Sequence, residues 1–221
     1  MSYSVIMPTI NNAPGALAKA CFESIEANAT GELIVCASEQ PQHAPDWKFV
    51  PLGRHKSAYV DCYSRLLAML EVCSFETVFI VEHDVLYAAG YFDPAQVRED
   101  HFAYNVNLKT LTPGGYILHE RPRLVTSQVM APRGLFAEHF RRSIQWIESG
   151  NRIVWDEPGL KWCDDGLAFP TVAGKVEYNA PAPSIDVRWG GNLTGNREAT
   201  QYQQQCPTWG DAAKLRTKLN I

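Results

Sequence analysis

The sequence predicts an α/β fold, built as a mostly parallel sheet flanked by helices. Through the first half of the chain, short and continuously apolar stretches alternate with segments of helical periodicity. Continuously apolar strands with helices between them indicate a parallel sheet that is covered on both faces. The length of 221 residues and the hydrophobic content of 46% suit one large globular domain or two closely packed lobes, and we expect a single domain over residues 1–221. We expect its second half to be less regular than its first.

The first half contains the more regular predicted elements. Apolar residues at helical spacing, such as Leu17, Cys21 and Ile25, predict the first helix, and Ser57 is a suitable N-cap for the second. The predicted strands cover residues 4–8, 32–38, 48–52 and 77–81, and the predicted helices cover about 15–27 and 58–73. Ligands of an open parallel sheet bind outside the carboxyl ends of its strands. We therefore expect the functional site where these strands end.

The second half contains a predicted hairpin, a further strand and two helices. Pro113-Gly114-Gly115 would form the turn between FAYNVNLKTL and the strand of GGYILH. A strand is predicted over residues 123–131. Apolar side chains on one face predict a helix over residues 133–149 with Gly150 as its stop, and an amphipathic helix is predicted over about 209–219.

Composition restricts the cellular setting that we expect. The sequence has no run of about 18 apolar residues, so no membrane-spanning helix and no membrane partner are predicted. The first residues, MSYSVIMPTI, lack the basic and apolar regions of a signal peptide. The six cysteines are scattered singly, which is typical of reduced thiols in a cytoplasmic protein. The net charge of −4 argues against a protein that coats nucleic acid generally.

The stretch VFIVEHDVLY carries the first chemical signal. A predicted buried strand runs directly into Glu82, His83 and Asp84, and two carboxylates one residue apart repel each other unless a cation lies between them. Carboxylate oxygens suit Mg²⁺ or Mn²⁺, which usually also bind the phosphates of a substrate. The alternative is an ordinary polar turn in which Asp84 caps the next element.

The second chemical signal is basic. Arg54, His55 and Lys56 stand directly before the helix that is predicted to follow Ser57. Because the dipole of a helix disfavours cations at its N-terminus, a bound anion such as phosphate would relieve the conflict. The alternative is solvated surface charge that points away from any site. Together with the acidic pair, the basic residues predict a metal-bound diphosphate, and the sequence has neither a P-loop nor a GxGxxG stretch.

The order of these segments resembles a GT-A-fold glycosyltransferase of the family 2 type. VIMPTINN resembles the first strand and nucleotide-contacting loop of that family, and GRHKSAYVDCYSRLLAML resembles its basic segment and following helix. VFIVEHDVLY stands at the place of the family's DxD metal motif, and CDDGLAFPTVAGKVEYNAPAP resembles its ED segment and the strand after it. The resemblance covers most of residues 1–190 and implies a GT-A-like, Rossmann-like sheet. This chain departs from the family in having EHD for DxD and Asp164-Asp165 for the ED pair.

The resemblance implies how a nucleotide sugar would bind. Residues 1–110 would form the nucleotide-sugar-binding half, with a UDP-sugar as the expected donor, and residues 111–221 the acceptor-side half. The metal ion, Mn²⁺ or Mg²⁺, would be held by Asp84 and Glu82, with Asp186 in place of the histidine that many members supply as a third ligand. The donor-binding residues would be Pro8, Thr9, Asn11, Ser38, Glu39, Arg54, Lys56 and His83.

The resemblance also implies the catalytic base. Asp165, beside Asp164, would deprotonate the acceptor hydroxyl as it attacks the sugar, and one base opposite one leaving group implies inversion of the anomeric centre. The alternative for this aspartate pair is a helix N-cap or a loop.

The acceptor is indicated by two features of the second half. IDVRWGGNLTG places Arg188, Trp189 and Asn192 in a polar, glycine-containing segment that is either a loop closing over the donor or a tight turn. Residues 119–152 carry six arginines against three glutamates, and the arginines are Arg121, Arg123, Arg133, Arg141, Arg142 and Arg152. Some phage-encoded transferases modify hydroxymethylated bases in DNA, so modified DNA in the cytoplasm of a host cell is one hypothesis for the acceptor. A solvated helix face is the alternative for the arginines.

Two other functions stay open. A sugar nucleotidyltransferase shares the α/β layout and acidic metal sites, but PTINNAPG lacks the basic residue that such enzymes usually carry after their first strand. A non-catalytic nucleotide- or glycan-binding module would keep the fold and lose catalysis, which the EHD departure permits.

Overall fold

The computed structural model describes residues 2–118, 124–150, 158, 173–190, 202–206 and 208–221. Its strands are β1 (Ser4–Pro8), β2 (Glu32–Ala37), β3 (Lys48–Pro51), β4 (Thr77–Ile80), β5 (Val85–Leu86), β6 (His101–Asn105), β7 (Leu108–Leu111), β8 (Ile117–Leu118), β9 (Val129–Pro132), β10 (Gly174–Tyr178), β11 (Ser184–Val187), β12 (Tyr202–Gln203), β13 (Gln205–Cys206) and β14 (Gly210–Asp211). Its α-helices are α1 (Gly15–Asn28), α2 (Ala58–Val72), α3 (Arg133–Glu148) and α4 (Ala212–Leu219). Within these ranges, no helix has the length and apolar character needed to cross a bilayer.

A seven-stranded sheet confirms the predicted fold class. Its strand order is β10-β6-β9-β4-β1-β2-β3, and every neighbouring pair is parallel except the two that involve β9. Side chains of α2 and α3 join the apolar cluster on one face of this sheet, and side chains of α1 join the cluster on the other. Because β1 to β4 are mutually parallel, their carboxyl ends meet at one edge.

A second sheet of five strands packs beside the first. Its order is β12-β8-β7-β11-β5, and an apolar cluster joins it to α1 and α4 through Leu17, Leu86, Ile185 and Leu219. The chain leaves the first sheet at the end of β4 and enters the second at β5. Residues 81–84, which contain the two carboxylates of VFIVEHDVLY, therefore connect the two sheets.

Local sequence determines where α2 begins and where α3 ends. Ser57 caps α2 by accepting a hydrogen bond from the Val60 N–H at 3.4 Å. Gly150 follows α3 with a φ of 84°, a left-handed conformation that glycine adopts without steric cost. The rings of Tyr63 on α2 and Phe140 on α3 stack with centroids 5.5 Å apart. The predicted bounds of both helices hold to within one residue.

The strand predicted over residues 123–131 is wrong in its first part. Only β9 is extended and paired, because Thr126–Gln128 form a short 3₁₀ helix. In this turn the Ser127 carbonyl oxygen points at buried tyrosine hydroxyls rather than at a neighbouring strand. Arg123 lies outside the described residues.

The last helix begins three residues later than predicted. It begins at Ala212 because Gly210 has a φ of 77°, which does not fit a helix, and because Asp211 caps the helix instead. The Asp211 carboxylate accepts a hydrogen bond from the Lys214 N–H at 2.9 Å.

Candidate functional site

A cavity of about 380 Å³ opens at the edge where β1 and β4 end. It is lined by Pro8, Thr9, Ile10, Arg54, His55, Lys56, Ala58, Asp61, Cys62, Arg65, Glu82, His83 and Asp84. We call it the first cavity. The structure thus brings together the acidic segment (Glu82, His83 and Asp84) and the basic segment (Arg54, His55 and Lys56), which are well separated in the chain.

The acidic segment is half-buried and held by its backbone. The Glu82 N–H donates to the Tyr87 hydroxyl at 2.9 Å, and the Asp84 carbonyl oxygen accepts from the Val187 N–H at 2.9 Å. His83 Nε2 lies 3.1 Å from the Asn12 side-chain oxygen. Burial lowers the pKa of His83, and the nearby Asp84 carboxylate opposes that shift. The segment is therefore fixed on both sides of the carboxylates.

The side chains of the basic segment are exposed, and its backbone is held at one point. The His55 N–H donates to the Asp61 carboxylate at 2.6 Å, and the Ser57 N–H donates to His55 Nδ1 at 3.1 Å. Arg54 reaches back toward the loop after β1, with Nη2 at 3.5 Å from the Ile10 carbonyl oxygen. Cations at the start of a helix are unfavourable without an anion, so the exposed charges at this position suit an anionic ligand.

A buried ion pair stands behind the basic segment. Arg65 is 1% exposed, and its Nε lies 2.9 Å from Asp61 Oδ2. Burial alone would raise the pKa of Asp61, but the hydrogen bonds from Arg65 and the His55 N–H outweigh it and lower that pKa. Our sequence reasoning missed both residues. The available signal was an Asp and an Arg four positions apart within an otherwise apolar helix.

The loop after β1 separates the first cavity from a second one of about 320 Å³. Asn11 has a φ of 56°, its N–H donates to Thr9 Oγ1 at 3.0 Å, and its side-chain amide donates to the Glu39 carbonyl oxygen at 2.9 Å. These bonds tie the loop to the end of β2. The second cavity is lined by Thr9, Asn11, Ala13, Gly15, Ala18, Phe22, Glu39, Gln40, Pro41, Gln42, His43 and His83.

The predicted donor-binding residues divide between the two cavities. Pro8, Arg54 and Lys56 line the first, Asn11 and Glu39 line the second, and Thr9 and His83 line both. Ser38 directly follows β2, is exposed, and lines neither of these two cavities.

The segment IDVRWGGNLTG begins as a buried strand, so its first part is neither the predicted closing loop nor a tight turn. Ser184–Val187 form β11, which pairs with β5 and β7. Asp186 is 8% exposed, and its carboxylate lies 2.6 Å from Arg188 Nη2. Trp189 is partly buried against the apolar cluster of the second sheet. Asp186, Arg188 and Trp189 line neither of the two cavities.

Several predicted residues lie outside the described part of the chain. These are the proposed base Asp165, its neighbour Asp164, Asn192 of the proposed lid, and Arg121, Arg123 and Arg152 of the arginine-rich region. Of the arginines that are described, Arg142 pairs with Glu138 one turn away on α3, and Arg133 Nη2 lies 3.6 Å from a Glu76 carboxylate oxygen. These pairs favour the alternative of a solvated helix face.

The acidic segment has the ligand chemistry for one type of metal site. Among the described residues, no three His, Cys, Asp or Glu side chains cluster closely enough to hold an ion by themselves. Mg²⁺ is usually bound by one or two carboxylates, with the remaining positions filled by water and substrate phosphates. This arrangement is available here, because Glu82 and Asp84 line the same cavity as the basic residues Arg54 and Lys56, which could bind the substrate phosphates.

The chain matches no known family model and no curated protein. Among solved structures it is similar to TarS of S. aureus (13% identity, TM-score 0.42, covering 63% of this chain and 30% of that one). It is also similar to the glycosyltransferase GlyE of Streptococcus pneumoniae TIGR4 (8% identity, TM-score 0.47, covering 71% of this chain and 41% of that one). A third similar structure is 2-C-methyl-D-erythritol 4-phosphate cytidylyltransferase of Thermus thermophilus (14% identity, TM-score 0.41, covering 70% of this chain and 81% of that one).

The chain spans less than half the length of the first two of these proteins. All three identities are below 15% and all three TM-scores are below 0.5, so these likenesses assign neither a family nor a function to the chain. What the molecule itself establishes is an α/β fold with a mostly parallel sheet, at whose carboxyl edge an acidic and a basic segment share one cavity.

Proposed function

We propose that this protein is a metal-dependent glycosyltransferase that moves a sugar from a nucleotide diphosphate sugar to an acceptor hydroxyl. The observation that carries the proposal is the pairing of charges around the first cavity. Two carboxylates, Glu82 and Asp84, and two basic side chains, Arg54 and Lys56, line the same cavity at the carboxyl edge of parallel strands. A metal-bound diphosphate satisfies both sets of charges at once.

The donor would lie across both cavities. Its diphosphate would occupy the first cavity, with Arg54 and Lys56 against the phosphate oxygens. Its nucleoside would extend toward the second cavity, where Thr9, Asn11 and Glu39 offer hydrogen-bonding groups. A UDP-sugar is the donor that we would test first. Glu82 and Asp84 would hold Mn²⁺ or Mg²⁺, which when bound supplies a Lewis acid for the diphosphate.

The transfer itself would be a substitution at the anomeric carbon. The acceptor oxygen forms a new bond to that carbon, the bond from the carbon to the diphosphate oxygen breaks, and the acceptor proton passes to a base. We assign that base to Asp165, beside Asp164, on the family resemblance, with inversion as the consequence. Arg54 and Lys56 would offset the negative charge that develops on the departing diphosphate.

The acceptor that we propose for testing is a hydroxymethylated base in DNA. It rests on the arginine content of residues 119–152 and on the resemblance to compact phage transferases. The ion pairs of Arg133 and Arg142 reduce the free positive charge of that region. Acceptor screening therefore follows identification of the donor and includes sugars and proteins beside modified and unmodified DNA.

The test of the donor site is thermal unfolding in the presence of UDP, GDP, CDP and ADP and of the corresponding nucleoside triphosphates, each with Mn²⁺, with Mg²⁺ and with a chelator. We expect one nucleotide to raise the unfolding temperature in a metal-dependent way, since a ligand that binds only the folded state stabilises it. Asp84→Asn should abolish the metal-dependent rise. The matched control is Glu138→Gln, which also removes one carboxylate charge but lies on the exposed face of α3.

The outcomes separate the candidate functions. A rise with a nucleoside diphosphate, followed by release of the sugar from the matching nucleotide sugar, supports a transferase. A rise only with nucleoside triphosphates, with pyrophosphate released, supports the sugar nucleotidyltransferase instead. Binding without turnover of any nucleotide sugar supports the non-catalytic module. No rise with any nucleotide overturns the proposal.

A further inference from the structure

Two buried tyrosines lie behind the acidic segment, and one of them bonds to its backbone. Tyr87 and Tyr91 are both fully buried, with ring centroids 4.9 Å apart. Both hydroxyls donate to the Ser127 carbonyl oxygen, at 3.0 Å and 3.2 Å respectively. The Tyr87 hydroxyl also accepts the Glu82 backbone N–H at 2.9 Å, whereas the Tyr91 hydroxyl lies 3.5 Å from the Ile80 carbonyl oxygen, at the end of β4.

Tyr87 is itself held firmly on the other side. Its own N–H donates to Ser24 Oγ at 3.0 Å, and its carbonyl oxygen accepts from the Asn28 side chain at 3.0 Å. Ser24 and Asn28 lie on α1. Tyr87 therefore forms a rigid connection between α1, the Ser127 turn and the backbone of Glu82.

This connection holds the backbone at the position where two negatively charged side chains lie close together in the chain. Glu82 and Asp84 carry like charges, and without a counter-ion their repulsion favours a turn that separates them. A ligand that is bound by two carboxylates requires them in one geometry, and outer hydrogen bonds to a ligating segment commonly supply it. Of the two tyrosines, only Tyr87 is hydrogen-bonded both to α1 and to this segment.

We infer that Tyr87 is a positioning residue, whose hydroxyl fixes the Glu82 backbone so that the Glu82 and Asp84 carboxylates face the first cavity in a geometry suited to a metal-bound diphosphate. This inference rests on the proposed function. Tyr87 lines neither cavity, so it would act on a bound metal or donor only through Glu82.

The test compares Tyr87→Phe with Tyr91→Phe. Both variants keep the ring and lose one hydrogen bond to Ser127, so Tyr91→Phe is a matched control for the loss of a buried hydroxyl. Isothermal titration with UDP, or with whichever nucleoside diphosphate binds the wild type, is carried out over a range of Mn²⁺ concentrations and with a chelator. Amide hydrogen exchange of Glu82 is measured in the same proteins without ligand.

Tyr87→Phe should raise the Mn²⁺ concentration that gives half-maximal nucleotide binding about tenfold, which is the lower end of the usual effect of losing an outer partner. It should leave nucleotide affinity in chelator unchanged, and it should speed exchange of the Glu82 amide. Tyr91→Phe should change neither the Mn²⁺ dependence nor the exchange rate. A purely structural role for Tyr87 would not alter the Mn²⁺ dependence selectively.

The inference and the proposed function fail in different ways. Wild-type protein that binds no nucleotide with Mn²⁺ or Mg²⁺ overturns the proposed function, and the inference with it. Wild-type protein that binds, with the same Mn²⁺ dependence in Tyr87→Phe and Tyr91→Phe, overturns the inference alone. Unchanged exchange of the Glu82 amide in Tyr87→Phe also overturns the inference, whatever the nucleotide result.

Discussion

The acidic and basic segments face each other across the first cavity but are held in opposite ways. The acidic segment is half-buried between two sheets, and hydrogen bonds connect it to Tyr87, Asn12 and Val187. The basic segment is exposed, and its backbone is held chiefly through the bond from the His55 N–H to Asp61. One side of the site is preorganised, while the other keeps its long side chains free to adapt to a ligand.

The difference follows from the free-energy cost of a partly buried carboxylate compared with that of an exposed basic side chain. Partly buried carboxylates of like charge need a rigid frame and a counter-ion, because burial weakens their hydration. Exposed Arg and Lys side chains stay hydrated and cost little while no ligand is bound. The comparison therefore predicts that substitutions behind each segment act on stability or geometry, whereas substitutions of the exposed basic side chains act on affinity.

The largest effect that we predict is on stability, and it concerns Asp61, which anchors the basic segment by accepting a hydrogen bond from the His55 N–H. Asp61→Asn removes the charge that neutralises Arg65, which is 1% exposed, so a buried guanidinium is left without its counter-ion. We expect the free energy of unfolding to fall by about 3 kcal/mol, as for other broken buried pairs. Urea denaturation measures the change.

A matched control uses the same helical spacing on the surface. Lys19 and Glu23 also stand four residues apart, at 3.7 Å, but both side chains are 62% exposed. Glu23→Gln should cost no more than about 0.5 kcal/mol. Similar losses for Asp61→Asn and Glu23→Gln would show that the Asp61–Arg65 pair is not a buried anchor.

The pH dependence of the same anchor is the second prediction. The folded state lowers the pKa of Asp61 from its ordinary value of 3.8, through the bonds from Arg65 and the His55 N–H that outweigh burial. A lowered carboxyl pKa contributes stability that is present above pH 3.8 and is lost as the pH falls through the folded pKa. The difference in free energy of unfolding between wild type and Asp61→Asn should therefore be constant from about pH 7 to about pH 5 and shrink toward about pH 3. A difference that stays constant down to about pH 3 would contradict the assignment.

The regular elements around this site are predictable from sequence because their signals are local. β1 matches its predicted bounds, and β2, β3 and β4 end one residue earlier than predicted. The N-cap Ser57 and the stop Gly150 are each visible in a few residues of sequence. The convergence of Arg54–Lys56 and Glu82–Asp84 follows from the rule that parallel strands end at one edge.

The contacts behind the two segments are not predictable in this way. β5 is two residues long, and β11 pairs with it although the two are far apart in the chain, so neither has a local pattern of its own. Asp186, a polar residue within β11, also interrupts the apolar pattern by which a buried strand is predicted. The bond from the Glu82 N–H to Tyr87 depends on how α1 and the Ser127 turn pack, which is tertiary information.

The smallest predicted effect concerns the exposed side of the cavity. Arg54→Ala and Lys56→Ala should each weaken binding of the nucleoside diphosphate about fivefold, because each removes one exposed, flexible charge. The free energy of unfolding should change by less than about 0.5 kcal/mol in either variant, as for other surface substitutions. Isothermal titration at low salt measures the affinity.

The salt dependence of the affinity and a control variant far from the cavity distinguish direct contact with the ligand from an effect of the overall charge of the protein. Raising ionic strength shortens the screening length, so the wild-type advantage over Arg54→Ala and Lys56→Ala should shrink between about 0.05 M and about 0.5 M salt. Lys175→Ala removes the same charge from β10, at the opposite end of the strand order from β3, and should leave affinity unchanged. Equal losses in Lys175→Ala and Lys56→Ala would mean that the basic segment contributes only to the overall field of the protein. A loss confined to Arg54 and Lys56, with stability intact, would mean that the adaptable side of the cavity meets the ligand directly.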